Sequence, residues 1–393
     1  MTTSENPATL PRRAGGLRRL ARPLAVAAVL ACAGAAWGAD LASSVLATGL
    51  NNPRGLAFGP DGGLFITEAG VPGGTGPSTM VRGAPAIYTE TGAVSWYRDG
   101  VQARIFTGLP SLFNSATGEV AGGPNDIAFN SRGALSIAIG AGIDPRVRTT
   151  DLAPGGAGLA RVITLGGSAD VGGYEAANNP AGGPVDSNPW HLAPVADGML
   201  VTDAGGNSLL RIAGDGSIST VATFASRALG GPGPTEPVPT GVAVGADGRT
   251  YVGELTGFPF VPGAAQIYRI GPGGGTPEVF ATGFTQITDL AFGKDGNLYV
   301  LEFDSNGLLN PGDGGSLWRV APDGSKSLAF SDGLVQPTGL EVGADGAFYV
   351  SNHGNSVGQG EVLRIAPVPE PQTYALMLAG LAAVAGWARR RRH

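Results

Sequence analysis

The stretch PRGLAFGPDGGLFITE, residues 53–68, decides the fold. A short apolar run meets an Asp-Gly turn, and a second run alternates and ends on an acid, Glu68. Period-two alternation marks a half-buried strand, and Asp-Gly between two such runs is hairpin turn chemistry. The unit returns as PTGVAVGADGRTYVGE (239–254), ITDLAFGKDGNLYVLE (287–302) and PTGLEVGADGAFYVSN (337–352). Two looser copies are PNDIAFNSRGALSIAIG (124–140) and PWHLAPVADGMLVTD (189–203). The last three intervals between copies are 50, 48 and 50 residues, the first two 71 and 65, so the early copies carry insertions. A recurring period of this size points to one repeat-built domain.

Each copy continues into a third run, such as LLRI (209–212), IYRI (267–270), LWRV (317–320) or VLRI (362–365). A fourth follows: RIFTGL (104–109), STVATF (219–224), EVFATGF (278–284) or SLAFSDGL (327–334). Four strands joined by tight turns make a propeller blade. The sixth copy lacks a fourth run, and SSVLATGL (43–50) at the front of the chain matches the missing pattern. The sequence therefore predicts an all-β, six-bladed β-propeller with four-stranded blades over residues 43–366. The N-terminal strand closes it in the last blade, leaving no unpaired edge.

Gly (67) and Pro (30) are abundant, but they fall between regularly spaced apolar runs, which suits short strands and turns and argues against disorder. The charge is unevenly spread. Arg12, Arg13, Arg18, Arg19 and Arg22 precede the first apolar run, and Arg389, Arg390, Arg391 and Arg392 end the chain. Setting aside these nine and Glu5 leaves 16 basic against 30 acidic residues, a net charge near −14. Such a body lacks the basic face that phosphate backbones require, which excludes a nucleic-acid role. Cys32 is the only cysteine and lies in the N-terminal apolar run, so the mature domain holds no disulfide and no thiol chemistry.

Both termini read as addresses. Residues 24–36, LAVAAVLACAGAA, follow arginines and precede small residues suited to signal-peptidase cleavage near 35–39, which makes residues 1–39 a signal peptide. At the other end Pro369, Glu370 and Pro371 precede an apolar stretch from Tyr374 to Ala388 and the four arginines. This order resembles the PEP-CTERM sorting signal of Gram-negative bacteria. The resemblance implies a short C-terminal transmembrane helix in the inner membrane over 367–393 and processing by an exosortase-type membrane peptidase. The expected location is the periplasm, the outer surface or the extracellular matrix.

Topology places any site. The turns between first and second strands are short, while the second-to-third connections (69–85, 141–158, 255–265, 303–315, 353–360) and several entries to new blades are long. In an up-and-down blade both long sets emerge on one face, where binding belongs. Arg54, Asn125, Asp126, His191, Thr240, Asp289 and Thr338 open the first strands there, and Glu68, Asp203, Glu254, Glu302 and Asn352 end the second strands. From these, Arg54, Asn125, Asp126, Asn188, His191 and Asp289 are the candidate ligand-binding face for a small molecule, glycan or protein. Oxygen ligands suit Ca²⁺ or Mg²⁺, and Glu68, Asn125, Asp203 and Asp289 are the candidate metal set. The opposing reading is that such acids cap loop amides. His191 replaces the Gly of Pro-x-Gly and is the one candidate base, with a hydrogen-bonded structural histidine as the alternative; no nucleophile motif accompanies it.

The segments ATGLNNPRGLAFGPDGGLFITEAG (47–70), YEAANNPAGGPVDSNPW (174–190), VTDAGGNSLLRI (201–212) and YVGELTGFPFVPGAAQIYRI (251–270) carry a family resemblance, as does VFATGFTQITDLAFGKDGNLYVLE (279–302). Together they resemble the ScyD/ScyE family over essentially all of 43–366. That resemblance implies an NHL-like propeller and export, and supplies no catalytic residues. Two functions remain open: a non-catalytic exported binding or scaffold propeller, and a divalent-metal-dependent hydrolase or lactonase of the gluconolactonase-like type.

Overall fold

The computed structural model describes residues 41–368 apart from 165, 311 and 313, together with 379–381, 384 and 390. The signal peptide of residues 1–39 lies outside the described residues. So do Pro369, Glu370, Pro371, Arg389, Arg391 and Arg392 of the sorting signal. Among the described residues no helix is long and apolar enough to cross a membrane, and most of the C-terminal stretch expected to form the transmembrane helix lies outside them.

Residues 40–369 form one compact unit built of six antiparallel sheets. Sheets 2 to 5 have four strands each in chain order, such as Pro189–Val195, Gly198–Asp203, Ser208–Ala213 and Ile218–Thr223 in sheet 3. Sheet 6 joins Gly339–Val342, Phe348–Asn352 and Gly360–Pro367 to the N-terminal strand Leu41–Leu50. That last pairing is antiparallel, from Leu41 opposite Pro367 to Leu50 opposite Gly360.

The repeated Asp-Gly turns are local devices. Asp61, Asp247, Asp295 and Asp345 each accept the backbone N–H two residues on, and Asn130 does so in sheet 2. The glycine that follows has φ between 75° and 79°, a left-handed conformation costly for other residues. In sheets 4 to 6 the turn is pinned further: the Tyr251, Tyr299 and Tyr349 hydroxyls donate to Asp247, Asp295 and Asp345.

Apolar side chains of consecutive sheets fill the space between them. Leu200, Leu209 and Phe224 of sheet 3 pack with Val242, Val252 and Tyr268 of sheet 4. Leu50, Tyr349 and Val362 of sheet 6 pack with Leu56, Leu64 and Ile66 of sheet 1. Burying such side chains contributes about 1.5–3 kcal/mol each, so the inter-sheet seams dominate stability.

Sheet 1 departs from the simple repeat. The expected loop at 69–85 contains a strand, Ser78–Val81, and the third and fourth strands extend to Ala84–Arg98 and Val101–Asn114. The long entry to sheet 3 contains the helix α1, Val171–Asn178, capped by the Asp170 carboxylate on the Gly173 amide. Arg148 and Arg161 both pair with Asp170 and fix that cap.

Candidate functional site: the channel and its loop-face cavity

The innermost strands repeat one hydrogen-bond rule. The second residue of the unit donates its side chain to the carbonyl of the first residue in the next sheet. Asn125 Nδ2 donates to Pro189 O (2.9 Å), Thr288 Oγ1 to Pro337 O (3.2 Å) and Thr338 Oγ1 to Pro53 O (2.7 Å). Thr240 Oγ1 donates likewise to Ile287 O. Two positions break the rule. Arg54 turns toward sheet 6, donating to Gly354 O (2.7 Å) and Asn355 Oδ1 (3.2 Å). Trp190 reaches from sheet 3 to sheet 5, where its Nε1 donates to Thr288 O (3.2 Å).

The third residue follows a second rule. Where it is not glycine, it accepts the amide of the fourth residue in the next sheet: Leu192 N to Asp126 Oδ2 (2.7 Å), Val242 N to His191 Nδ1 (3.2 Å), Leu340 N to Asp289 Oδ2 (2.7 Å). Glycine fills the remaining places because the strands close in: a Cβ on Gly55 would stand 1.8 Å from Asp126 Oδ1. The Val242 amide makes Nδ1 an acceptor and leaves the ring proton on Nε2, which faces Asp289 Oδ1 at 2.9 Å and Asp126 Oδ2 at 3.5 Å. His191 thus ties four sheets together in mid-channel, and each polar ring atom has a partner.

A fourth ionisable group joins them. The fifth residue is alanine in five sheets, and Glu341 takes that place in sheet 6. Burial pushes Glu341 up to about 8, helped by the charges of Asp289 and Asp126. Asp126 rises to about 7, mainly by burial, with His191 opposing and Asp289 adding. Burial alone would lower His191, but the two aspartates overcome it and carry it up to about 10. The two aspartates favour a second ring proton, whereas the Val242 amide donating to Nδ1 opposes it. Glu341 is legible in the sequence as the one residue other than alanine in its column.

The channel opens into a cavity at each end. One, about 390 Å³, lies beyond the alanine layer and touches Asp126, His191 and Glu341. The other, about 210 Å³, lies on the loop side and is walled by Arg54, Arg82, Asn125, Asn188, Trp190 and Gln286 with several apolar side chains. Of the predicted ligand-face residues, Arg54, Asn125 and Asn188 meet at the loop-side cavity, whereas Asp126, His191 and Asp289 meet in the channel. Trp190 and Gln286, neither among the residues predicted from the sequence, complete the loop-side set.

The acids ending the second strands hold loops. Glu68 accepts Asn51 N (2.7 Å) and pairs with Arg104 through two guanidinium nitrogens (2.9 and 2.8 Å). Asp203 accepts the amides of Asn188 (2.6 Å) and Gly206 (3.1 Å) and the Ser187 hydroxyl. Glu254 pairs with Arg227, Glu302 accepts Thr285 N (2.7 Å), and Asn352 accepts Val335 N (2.7 Å). The candidate metal set is therefore dispersed: Glu68 is ion-paired, Asn125 bonds Asn188 and Pro189, Asp203 caps its loop, and Asp289 faces His191. Among the described residues no group of three or more His, Cys, Asp or Glu is arranged to hold a metal ion. These four residues do not converge on a common point, so they do not fit Ca²⁺ or Mg²⁺ as the sequence suggests.

A second acidic cluster was not anticipated as a unit. Glu175 on α1 is fully buried, and neither of its carboxyl oxygens has a hydrogen-bond partner. A Cβ on Gly206 would stand 2.8 Å from Glu175 Oε2 and 3.1 Å from Asp203 Oδ2, so the two carboxylates converge on that turn. Burial, then Asp203 and Asp186, push Glu175 up to about 7.

Six antiparallel sheets with shared inter-sheet seams define a propeller-like all-β protein. Three solved structures are similar to this chain at low identity. Virginiamycin B lyase from Staphylococcus aureus is 14% identical with a TM-score of 0.47, covering 84% of this chain and 99% of its own. A gluconolactonase from Xanthomonas campestris is 13% identical with a TM-score of 0.48, covering 83% and 89%. The calcium-binding protein regucalcin from Agrobacterium tumefaciens is 14% identical with a TM-score of 0.45, covering 84% and 97%. At these identities the likeness concerns fold alone. No curated protein matches the chain. Residues 367–392 match the PEP-CTERM protein-sorting motif, which marks the chain for export and membrane-associated sorting and implies recognition by an exosortase-type enzyme.

Proposed function

We propose that this chain is an exported, non-catalytic binding propeller, closed into a six-bladed ring by its N-terminal strand and released or anchored at the envelope through its sorted tail. Its ligand sits on the loop face. One observation carries this reading: the two side chains that break the inter-sheet hydrogen-bond rule, Arg54 and Trp190, both wall the same loop-side cavity. Repeat positions given up to large side chains at one concave point are what a binding site requires. The channel cluster favours structure over chemistry, because both His191 nitrogens are engaged. The ScyD/ScyE resemblance of 43–366 fits an exported propeller without a catalytic set. The gluconolactonase-like reading needs carboxylates free to take a cation, and its four candidates have other partners.

Incubating the purified protein with aldonolactones in Ca²⁺, Mg²⁺ or EDTA tests this. The proposal expects no turnover and the same melting temperature in all three; metal-dependent hydrolysis refutes it. Deleting 369–393 should shift the protein from the membrane fraction to the soluble one, and an unchanged distribution would refute tail-directed sorting.

A further inference from the structure

We propose that the loop-side cavity is built for a small organic anion, a monocarboxylate held by the Arg54 guanidinium beside Trp190. This names the ligand class of the binding reading above and rests on it.

The first argument is the charge of Arg54. The residue is only 5% exposed, and its hydrogen bonds go to two neutral acceptors, the Gly354 carbonyl and the Asn355 amide oxygen. Its Nε has no partner. Among the described residues no carboxylate forms an ion pair with it, and burial pulls it down to about 10. A buried cation without a counter-charge is strongly unfavourable, and the fold supplies none. Neutral second-position residues serve the same seam elsewhere: Thr240, Thr288 and Thr338 bridge sheets with no charge at all. A guanidinium is unnecessary for packing here, and its fork matches a carboxylate.

The second argument is the lining. Among the described residues the cavity wall contains a second arginine, Arg82, and no Asp or Glu, in a body whose net charge is near −14. Arg82 also acts on Asp186, outside the wall, so its field is shared, whereas that of Arg54 is not. The overall negative charge opposes an approaching anion, but screening limits that to about 8 Å at physiological salt, so the nearest charges decide. Gln286 adds a neutral donor and acceptor: it is 1% exposed, and neither atom of its amide has a partner. Trp190, Phe260 and Phe303 supply flat apolar walls. The volume, about 210 Å³, lies below the roughly 300 Å³ lower bound usual for drug-sized ligands, which selects a small acid.

The test uses the full chain and two matched probe pairs, benzoate with benzamide and gluconate with glucose, titrated while tryptophan fluorescence and calorimetric heat are recorded. At least one carboxylate should bind about 10- to 100-fold more tightly than its neutral partner, the range set by charge-assisted hydrogen bonds. W190F should abolish the fluorescence change, R54Q should erase the preference for the acid, and R82Q should weaken it about 2- to 5-fold without affecting the melt. Since Arg54 also joins sheets 1 and 6, R54K serves as a folded control that keeps charge but loses the fork, and it should retain part of the preference. Equal binding of acid and neutral partner, or a preference unchanged in both R54Q and R82Q, overturns the anion assignment and leaves the binding reading standing. Lactone turnover overturns the binding reading itself.

Discussion

Replacing Glu175 by glutamine should stabilise the protein at pH 8 and leave it nearly unchanged at pH 4.5. In the folded state Glu175 is held near pKa 7, against 4.5 for an ordinary glutamate, by burial and by Asp203 and Asp186. A raised carboxyl pKa means that the folded state keeps a proton the unfolded state has released. Stability from this group is intact below pH 4.5 and is lost as pH rises through about 7. The full shift is worth about 3 kcal/mol at 1.36 kcal/mol per pH unit. Water near the loop surface screens part of it, which leaves about 1–2 kcal/mol. For a body of roughly 330 residues that is about 1.5–3 °C in melting temperature. The assay is a set of thermal melts of the parent and E175Q from pH 4.5 to 8 in EDTA. Parallel stability profiles across that window would refute the claim that Glu175 is buried without a compensating partner.

Three further outcomes follow from the same geometry. Arg104→Ala strips Glu68 of its bidentate partner while that carboxylate stays buried, and should cost about 1–3 kcal/mol in urea unfolding, more than truncation of the exposed pair Arg98–Asp99. Glu341→Ala restores the alanine of the other five sheets; it should flatten the loss of stability between about pH 4.5 and 8 in chemical denaturation, because the folded Glu341 titrates near 8 and the unfolded one near 4.5. His191→Ala removes the acceptor of the Val242 amide and the ring N–H that faces two aspartates, and should cost about 2–4 kcal/mol, with His191→Gln recovering part of that loss in the same denaturation assay.

The sequence was informative wherever local chemistry and periodicity agree. The Asp-Gly turns carry their own hydrogen bonds, so the six copies could be aligned and the outer strand at 43–50 assigned to the last one, where Leu41–Leu50 pairs with Gly360–Pro367. It was least informative where tertiary partners override local preference. Helix α1 begins Val171-Gly172-Gly173, a poor helical sequence, and persists because Asp170 caps it while Arg148 and Arg161 hold Asp170. The long hairpin of sheet 1 was hidden because its outer strand is solvent-facing, with Val101, Ile105 and Phe106 exposed, although the Asp99-Gly100 turn was there to be read. The site was half legible. The loop-bearing face and the column of channel residues follow from repeat position. Which of those residues meet depends on side-chain reach: Trp190 crosses to Thr288, and His191 spans Asp126 and Asp289, contacts between sheets that no spacing rule encodes.

The most direct test of the central claim is an electron-density map of the protein purified from its own envelope without added ligand. The account predicts small-molecule density on the loop side, bounded by Arg54, Trp190 and Gln286, and a channel at Asp126, His191 and Asp289 that holds only protein contacts. An ion or reaction product at that channel triad, with the loop-side cavity holding only water, would contradict it.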